Sequence, residues 1–207
     1  MLLPLADYER IFLTVKAILD AEDAMTAHAC QFFALMGAAI LFTHYGVRAK
    51  PAFGAAFLLL DEETKDILSY GRVEGNTISS DDKRYHAWLD TGDYVIDFMA
   101  PLYGEAMRAK GYTKVVPRLV LQHSKSSLAP SIFDLKKRGD CFLAPNNALS
   151  QYMVSYYLGE RQHRDMIETA VRWYRKPPEP MDVVQTTGRK GVAHTLALGQ
   201  SIIDGIW

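Results

Sequence analysis

The segment "YHAWLDTGDYVID", which runs from Tyr85 to Asp97, predicts a β-hairpin around Gly92. If Thr91 and Gly92 form a two-residue loop, His86 lies directly opposite Asp97, and a four-residue loop keeps the same register. A three-residue loop would shift the register by one and make the pair a looser diagonal. Directly opposed side chains share a face with Cβ atoms about 4.5–5.5 Å apart. That spacing suits a hydrogen bond between the carboxylate and the imidazole.

Two interpretations of the histidine–aspartate pair are open at the level of the hairpin. An exposed cross-strand charge pair is common in antiparallel sheets and carries no function. A pair whose aspartate orients the imidazole would be two thirds of a catalytic triad. The second interpretation requires a nucleophile elsewhere in the chain, and the hairpin alone does not decide between the two.

Cys30 is the candidate nucleophile. It lies near the start of a helix predicted from about Thr26 to Thr43, whose apolar residues occur nearly all round and indicate a buried helix. A helix N-terminus stabilises a thiolate, and a nearby imidazolium does so further. A lone cysteine is more often a small core residue. Cys30, His86 and Asp97 together, however, favour the catalytic interpretation.

The remaining segments predict an α+β domain in which an early buried helix packs on a meandering sheet. Helical periodicity occurs at 7–20, 26–43, 148–158 and 160–176. Strand-like runs occur at 52–60, 66–73, 84–90, 94–100 and 114–123. Because no helices separate these strands, the spacing favours an antiparallel sheet.

The composition is typical of one globular domain spanning residues 1–207. The chain is 49% hydrophobic and 23% charged, which excludes a disordered protein. A formal net charge of -1 indicates no global attraction to nucleic acid, and the sequence gives no indication of oligomeric state. Only two cysteines occur, Cys30 and Cys141, so neither a disulfide framework nor a multi-cysteine zinc cluster is available.

The N-terminal segment and the longest apolar run predict a cytoplasmic protein without membrane association. "MLLPLADYER" has Pro4, Asp7 and Glu9 where a signal peptide would have a basic start and an apolar stretch. The apolar run "ALMGAAILF", from Ala34 to Phe42, is far too short to cross a bilayer.

The order of these motifs resembles the papain-like cysteine proteinase superfamily, and within it the transglutaminase-like branch. In that branch a cysteine opens a buried helix that ends in a Gly–aliphatic–x–Arg-like segment. A strand with a glycine, a His–x–Trp motif and an aspartate at the end of a short hairpin follow. The matching positions here are Cys30, "YGVRAKPAFG" at 45–54, "HAW" at 86–88 and Asp97. The resemblance covers roughly residues 26–100 and also points to an uncharacterised bacterial family within the superfamily.

The resemblance implies a papain/transglutaminase-like core with a buried N-terminal nucleophile helix packed on an antiparallel sheet, and additional C-terminal helices. It implies a cysteine-dependent hydrolase or acyltransferase that acts on an amide or ester through a Cys30–His86–Asp97 triad and an acyl-enzyme. The expected partner is a peptide, a protein or a small amide, with no metal and no organic cofactor. A catalytically inactive peptide- or protein-binding module of the same fold is the alternative.

The chain departs from the individual activities of that superfamily. Papain-like peptidases carry a glutamine a few residues before the cysteine, where this chain has Asp23 and Ala24. Arylamine acetyltransferases have an Arg–Gly–Gly segment where this chain has "AHA" at 27–29. Animal transglutaminases usually have a tryptophan after the cysteine, and Gln31 stands there instead. The superfamily is therefore better supported than any one of its activities.

Three further residues are candidates for substrate binding. The backbone N–H of Cys30 is the expected first donor of an oxyanion hole, and Thr26 and His28 are second-donor candidates by proximity. Trp88 either packs beneath the hairpin or lines the cleft beside His86. His28 and Cys30 are two residues apart and do not share a helix face, so the sequence does not favour a metal site there.

Overall fold

The computed structural model describes residues 2–188 and 191–207 of the chain. The helices of this part are α1 (Leu5–Ala21), α2 (Cys30–Tyr45), α3 (Tyr103–Ala109), α4 (Asn147–Gly159) and α5 (Arg161–Trp173). The first strands are β1 (Lys50–Asp61), β2 (Asp66–Tyr70), β3 (Arg72–Glu74), β4 (Thr77–Ser79), β5 (His86–Asp90) and β6 (Tyr94–Asp97). The later strands are β7 (Leu119–Ser124), β8 (Cys141–Pro145), β9 (Val184–Thr187), β10 (Ala193–Leu196) and β11 (Gly205–Ile206). The predicted α+β class is confirmed.

A seven-stranded sheet runs in the order β11-β7-β6-β5-β1-β2, and β8 also pairs with β1. Gly54 pairs with both His86 of β5 and Pro145 of β8, so β5 and β8 lie on opposite edges of β1. β2 pairs with the later part of β1 and follows β5 along the edge opposite to β8. The β11–β7 pair is parallel, whereas the other pairs of this sheet are antiparallel. The purely antiparallel prediction is therefore wrong at this edge. β11 reaches β7 by a long connection instead of a hairpin, and such a connection permits a parallel pair.

The helix α2 is buried, as its apolar sequence predicts. Phe33, Met36 and Ile40 are at most 1% exposed, and α2 packs on β5 and against α1 and α5. It begins at Cys30, four residues later than predicted, because residues 26–28 form a separate 3-10 turn. Gly46, at a left-handed φ of 66°, ends it as expected. The late start makes the cysteine the first residue of the helix.

The two faces of β1 meet different apolar clusters. Ala56 belongs to the main core, which the helices cover. Phe57 and Leu59 face a smaller cluster that Leu135 closes on the other side of the sheet. Side chains alternate along a strand, so Gly54, two residues before Ala56, is on the same face of the sheet as Ala56.

The β5–β6 hairpin forms with a register different from the predicted one. The paired positions are Leu89 with Ile96 and Asp90 with Val95. The loop is therefore centred on Gly92 and Asp93 instead of Thr91 and Gly92. Gly92 has a φ of +95°, and a glycine is favoured at the first central position of such a turn. The shift of two residues keeps His86 and Asp97 on one face of the sheet but makes them diagonal neighbours instead of directly opposed ones.

Among the helices of residues 2–188 and 191–207, none has both the length and the apolar character that crossing a membrane requires.

Candidate active site

Three elements bring Cys30, His86 and Asp97 to one place. Cys30 is the first residue of α2, His86 the first residue of β5 and Asp97 the last residue of β6. His86 is 1% exposed and Asp97 is 2% exposed. The histidine–aspartate pair is therefore a buried pair and not an exposed charge pair on the sheet surface.

The carboxylate of Asp97 accepts three hydrogen bonds. His86 donates through Nε2 to Oδ2, and the hydroxyl of Tyr103 donates to the same oxygen. The backbone N–H of Met99 donates to Oδ1 at 2.8 Å. The hydroxyl of Tyr8 donates to the backbone carbonyl of Asp97. Both ends of the carboxylate are thus held, which fixes the oxygen that orients the imidazole.

The position of His86 on the sheet depends on a glycine in the neighbouring strand. Gly54 of β1 pairs with His86, and it also begins the pairing of β1 with β8. A Cβ atom at Gly54 would lie 2.2 Å from the carbonyl oxygen of Ala144. Only a glycine allows β8 to approach β1 this closely beside the histidine.

Two aromatic rings contact the imidazole of His86. Tyr70 stacks on it, with ring centroids 4.5 Å apart and an interplanar angle of 18°. Tyr103 meets it edge-on, with centroids 5.8 Å apart. Burial first, and then the charges of Cys30 and Asp97, raise the pKa of Tyr70, so its hydroxyl stays protonated. The two rings restrict rotation of the imidazole.

The Cys30 thiol lies close enough to His86 to affect the pKa of the imidazole. Burial by itself lowers the pKa of His86, but the charge and hydrogen bond of Asp97, followed by the contact with the Cys30 thiol, raise this pKa to about 10. Within the described part of the chain, Nδ1 of His86 nevertheless has no hydrogen bond of standard geometry. A buried polar atom without a partner destabilises a protein by about 1–3 kcal/mol. A thiolate at Cys30 that accepts the Nδ1 proton would satisfy it.

Two polar side chains that the sequence did not indicate as functional lie beside the Cys30 sulfur. The Sγ atom of Cys30 donates to Oε1 of Gln31 at 3.6 Å, and the hydroxyl of Tyr85 donates to the same oxygen at 3.4 Å. Their sequence positions offered a weak signal: Gln31 follows the cysteine directly, and Tyr85 precedes the histidine directly. Tyr70 and Tyr103 had no comparable signal.

Cys30 borders a cleft of about 530 Å³. The walls include His28 before α2, Tyr70 at the end of β2, Tyr85 before β5 and Lys110 after α3. A cavity of this volume accommodates a small molecule or a few residues of a peptide. Cys30 therefore lies both near the buried histidine and at the wall of an open space of small-molecule size.

The three predicted substrate-binding residues lie in different surroundings. His28 lines the cleft. Thr26 donates its hydroxyl to Asp20 Oδ1 at 2.8 Å, toward the end of α1. Trp88 is 3% exposed and belongs to the main core. Of the two environments considered for this tryptophan, it occupies the packed one.

Within residues 2–188 and 191–207, no three side chains of histidine, cysteine, aspartate or glutamate are arranged to hold a metal ion.

A family model described as "Protein of unknown function (DUF2026)" matches residues 4–207, which is nearly the whole chain. The chain belongs to the DUF2026 family. A crystal structure described as "genomics APC5867" is similar over 100% of this chain and 98% of that chain, with 30% sequence identity and a TM-score of 0.84. No curated protein matches the chain. Since the DUF2026 description names no activity, the function must be argued from the chemistry of the site.

Proposed function

We propose that this DUF2026 protein is a cysteine-dependent hydrolase or acyltransferase that acts on an amide or ester carbonyl. The observation that carries the proposal is the meeting of the Cys30 thiol with the buried His86–Asp97 pair at an open cleft. A papain/transglutaminase-like relationship of the core belongs to the same proposal. It is supported by the cysteine that opens a buried helix and by the histidine and aspartate on the following hairpin.

The first half of the reaction forms an acyl-enzyme. The Cys30 thiolate attacks the carbonyl carbon of the substrate, and the C=O electron pair moves onto oxygen. The tetrahedral intermediate then collapses, the bond to the leaving nitrogen or oxygen breaks, and the leaving group takes the Nδ1 proton of His86. The products of this half are a thioester at Cys30, a neutral imidazole and the free amine or alcohol.

The second half releases the acyl group. The neutral imidazole of His86 removes a proton from a water molecule or an amine, which attacks the thioester carbonyl. Collapse of the second tetrahedral intermediate expels the Cys30 sulfur and regenerates the ion pair. Asp97 keeps the imidazole in one orientation through both halves, and it remains an anion. Water gives hydrolysis, and an amine gives acyl transfer.

The oxyanion of each tetrahedral intermediate needs two hydrogen-bond donors. The backbone N–H of Cys30, at the N-terminus of a 16-residue helix, is the first donor. Gln31 is better placed than Thr26 to be the second, because its side-chain amide lies 3.6 Å from the sulfur. Half a turn of that amide presents Nε2 in place of Oε1.

The chemistry needs a reduced thiol, and both Cys30 and Cys141 are free. A reducing compartment such as the cytoplasm maintains that state. The substrates in question are peptides, proteins and small amides, since these supply an amide carbonyl.

An activated ester tests the proposal directly. With p-nitrophenyl acetate we expect a rapid burst of p-nitrophenolate, followed by slow turnover as the acetyl thioester hydrolyses. Peptide mapping of the quenched reaction should place the acetyl group on Cys30. Adding an amine such as methylamine distinguishes acyl transfer from hydrolysis. If the amine accepts the acyl group, the steady-state rate of p-nitrophenolate release should increase.

The chain offers a matched control for this experiment. Cys30→Ala should remove the burst, whereas Cys141→Ala should leave it unchanged, because Cys141 is buried in β8 and outside the cleft. A burst that survives Cys30→Ala would contradict the proposal. A folded wild-type protein that forms no acyl-enzyme would favour the binding-module alternative.

A further inference from the structure

We propose that the cleft beside Cys30 selects substrates that carry a negative charge, a carboxylate or a phosphate, close to the reacting carbonyl. This inference rests on the proposed function, because it concerns the cleft into which the nucleophile opens.

The charged side chains that line the cleft are predominantly positive. They are Asp82, Lys83, Arg84 and Lys110. Three of the four are cationic, although the whole chain has a formal net charge of -1. The excess of positive charge is therefore a property of this cleft and not of the molecule as a whole.

Among the described residues, the cations of the cleft form no close ion pair with a carboxylate, although the hydrogen bond from the backbone N–H of Lys83 and then the charge of Arg84 help to lower the pKa of Asp81. Several cations elsewhere on the surface do form such pairs. Paired examples are Lys114 with Asp66 at 2.7 Å, Lys125 with Asp90 at 2.6 Å and Arg118 with Glu105 at 2.7 Å. Among the residues that the structure describes, Lys83, Arg84 and Lys110 form no ion pair. Their charges are available to a bound anion.

A structured turn holds two of these cations next to the catalytic strand. The Oδ1 atom of Asp81 accepts hydrogen bonds from the backbone N–H of Lys83 at 3.0 Å and of Arg84 at 2.8 Å. Asp81 and Arg84 also exchange backbone hydrogen bonds. His86 follows two residues later, so the turn carries its cations to the entrance of the site. The Asp81 carboxylate is engaged by the backbone of the turn.

The third cation approaches the site through an aromatic ring. Lys110 follows the last residue of α3, and its Nζ lies 4.8 Å from the ring centroid of Tyr70. A cation at this distance from an aromatic ring is attracted to it. Because Tyr70 stacks on His86, the ammonium group is held near the reacting atoms.

Two alkylating reagents that differ only in charge measure this preference at Cys30. Iodoacetamide is neutral and iodoacetate is an anion, and with both the thiolate forms an S–C bond while iodide leaves. We expect the iodoacetate-to-iodoacetamide rate ratio at Cys30 to exceed that of free cysteine. Each exposed cation is expected to contribute about 2–5-fold to the ratio, and added salt should reduce it.

Paired double variants separate the cleft from the overall charge. Arg84→Met with Lys110→Met should lower the rate ratio by about 5–20-fold. Arg48→Met with Lys50→Met removes the same two residue types beyond the opposite end of α2, a helix roughly 24 Å long. This control should keep the wild-type ratio. An unchanged ratio in the cleft variant, or an equal loss in both double variants, would overturn the inference.

The same measurement distinguishes this inference from the proposed function. Fast labelling of Cys30 by iodoacetamide without any preference for iodoacetate would remove only the anion selectivity. If both reagents labelled Cys30 no faster than free cysteine, the proposal that Cys30 is an activated nucleophile would be contradicted, and the anion selectivity with it.

Protection of Cys30 identifies the anion. Glutarate and inorganic phosphate, compared at equal ionic strength, should slow the iodoacetamide reaction if they occupy the cleft. Protection by glutarate assigns a carboxylate, and protection by phosphate assigns a phosphate. Protection by neither contradicts the inference.

Discussion

The imidazole of His86 is restrained by a different neighbour in each direction. Asp97 accepts from Nε2, Tyr70 stacks on one face and Tyr103 meets the ring edge-on, while Cys30 is near enough to influence the pKa of the ring. A ring held in this way cannot exchange its two nitrogens without breaking buried contacts. This arrangement commits Nε2 to the carboxylate and leaves Nδ1 without a hydrogen-bond partner among the described residues.

Substitutions at His86 and Asp97 should reduce acylation of Cys30 in a defined order. His86→Ala removes the proton carrier and should lower the burst rate with p-nitrophenyl acetate by about 10²–10⁴-fold. Asp97→Ala should lower the burst rate by a smaller factor, because the two tyrosine rings still restrict the imidazole. Asp97→Asn should be mildest, since an amide oxygen can still accept from His86. Burst rates equal to that of the wild-type protein in all three variants would show that the pair has no catalytic role.

Asp97→Asn should also reduce the stability of the protein. The carboxylate accepts on Oδ2 from His86 and Tyr103 and on Oδ1 from Met99. An asparagine that turns its oxygen toward the imidazole directs its NH₂ group at the N–H of Met99. That backbone donor then loses its partner, which should lower the free energy of unfolding by about 1–3 kcal/mol in urea titrations.

Elements with a strong local pattern are those that the sequence predicts. The helix α2 is apolar nearly all round, and the β5–β6 hairpin has alternating residues around Gly92. By contrast, α3 has seven residues and β8 has five, and neither was predicted. Elements this short depend on tertiary contacts more than on their own propensity. The strand predicted from 114 begins only at Leu119, after Pro117, which cannot donate to a strand ladder.

The junction of β1, β5 and β8 should not tolerate a side chain at Gly54. A Cβ there would meet Ala144 O at 2.2 Å and the Cα atom of Pro145 at 2.8 Å, and both are backbone atoms. Gly54→Ala should therefore destabilise the protein by about 1–3 kcal/mol through overpacking. Because Gly54 pairs with His86, labelling of Cys30 should also slow.

Gly46→Ala is a useful comparison for that experiment. Gly46 directly follows α2, and no atom lies within 4 Å of a Cβ built there. It should lose stability through its left-handed φ alone and leave Cys30 labelling unaffected. Equal effects of both substitutions on labelling would show that the close approach at Gly54 does not position His86.

The free energy of unfolding should depend on pH because of the charge on His86. Burial by itself lowers the pKa of this histidine, but Asp97 and Cys30 raise it from the ordinary 6.5 to about 10. The stabilisation from its protonation is complete below pH 6.5 and disappears as the pH rises through 10. Relative to His86→Gln, the wild-type free energy of unfolding should fall across this range by at most about 1.4 kcal/mol per pH unit. Parallel curves for the two proteins in urea titrations would contradict this.

The local order of the chain determined the α+β class, the buried α2 helix with a cysteine near its start, and the hairpin carrying His86 and Asp97. These features depend on the periodicity of apolar residues and on the positions of glycines, and both can be seen within a short segment of the sequence. They also allowed Cys30, His86 and Asp97 to be selected as candidates before any contact between them was known.

Only the tertiary structure decided how those residues are surrounded. The hairpin register, the parallel β11–β7 pair and the rings of Tyr70 and Tyr103 around His86 depend on packing between distant segments. The positive cleft likewise combines Arg84 of one turn with Lys110 at the end of α3. Local periodicity indicates which face of an element is buried, but not which distant segment covers it. Packing free energy, summed over the whole molecule, makes that choice.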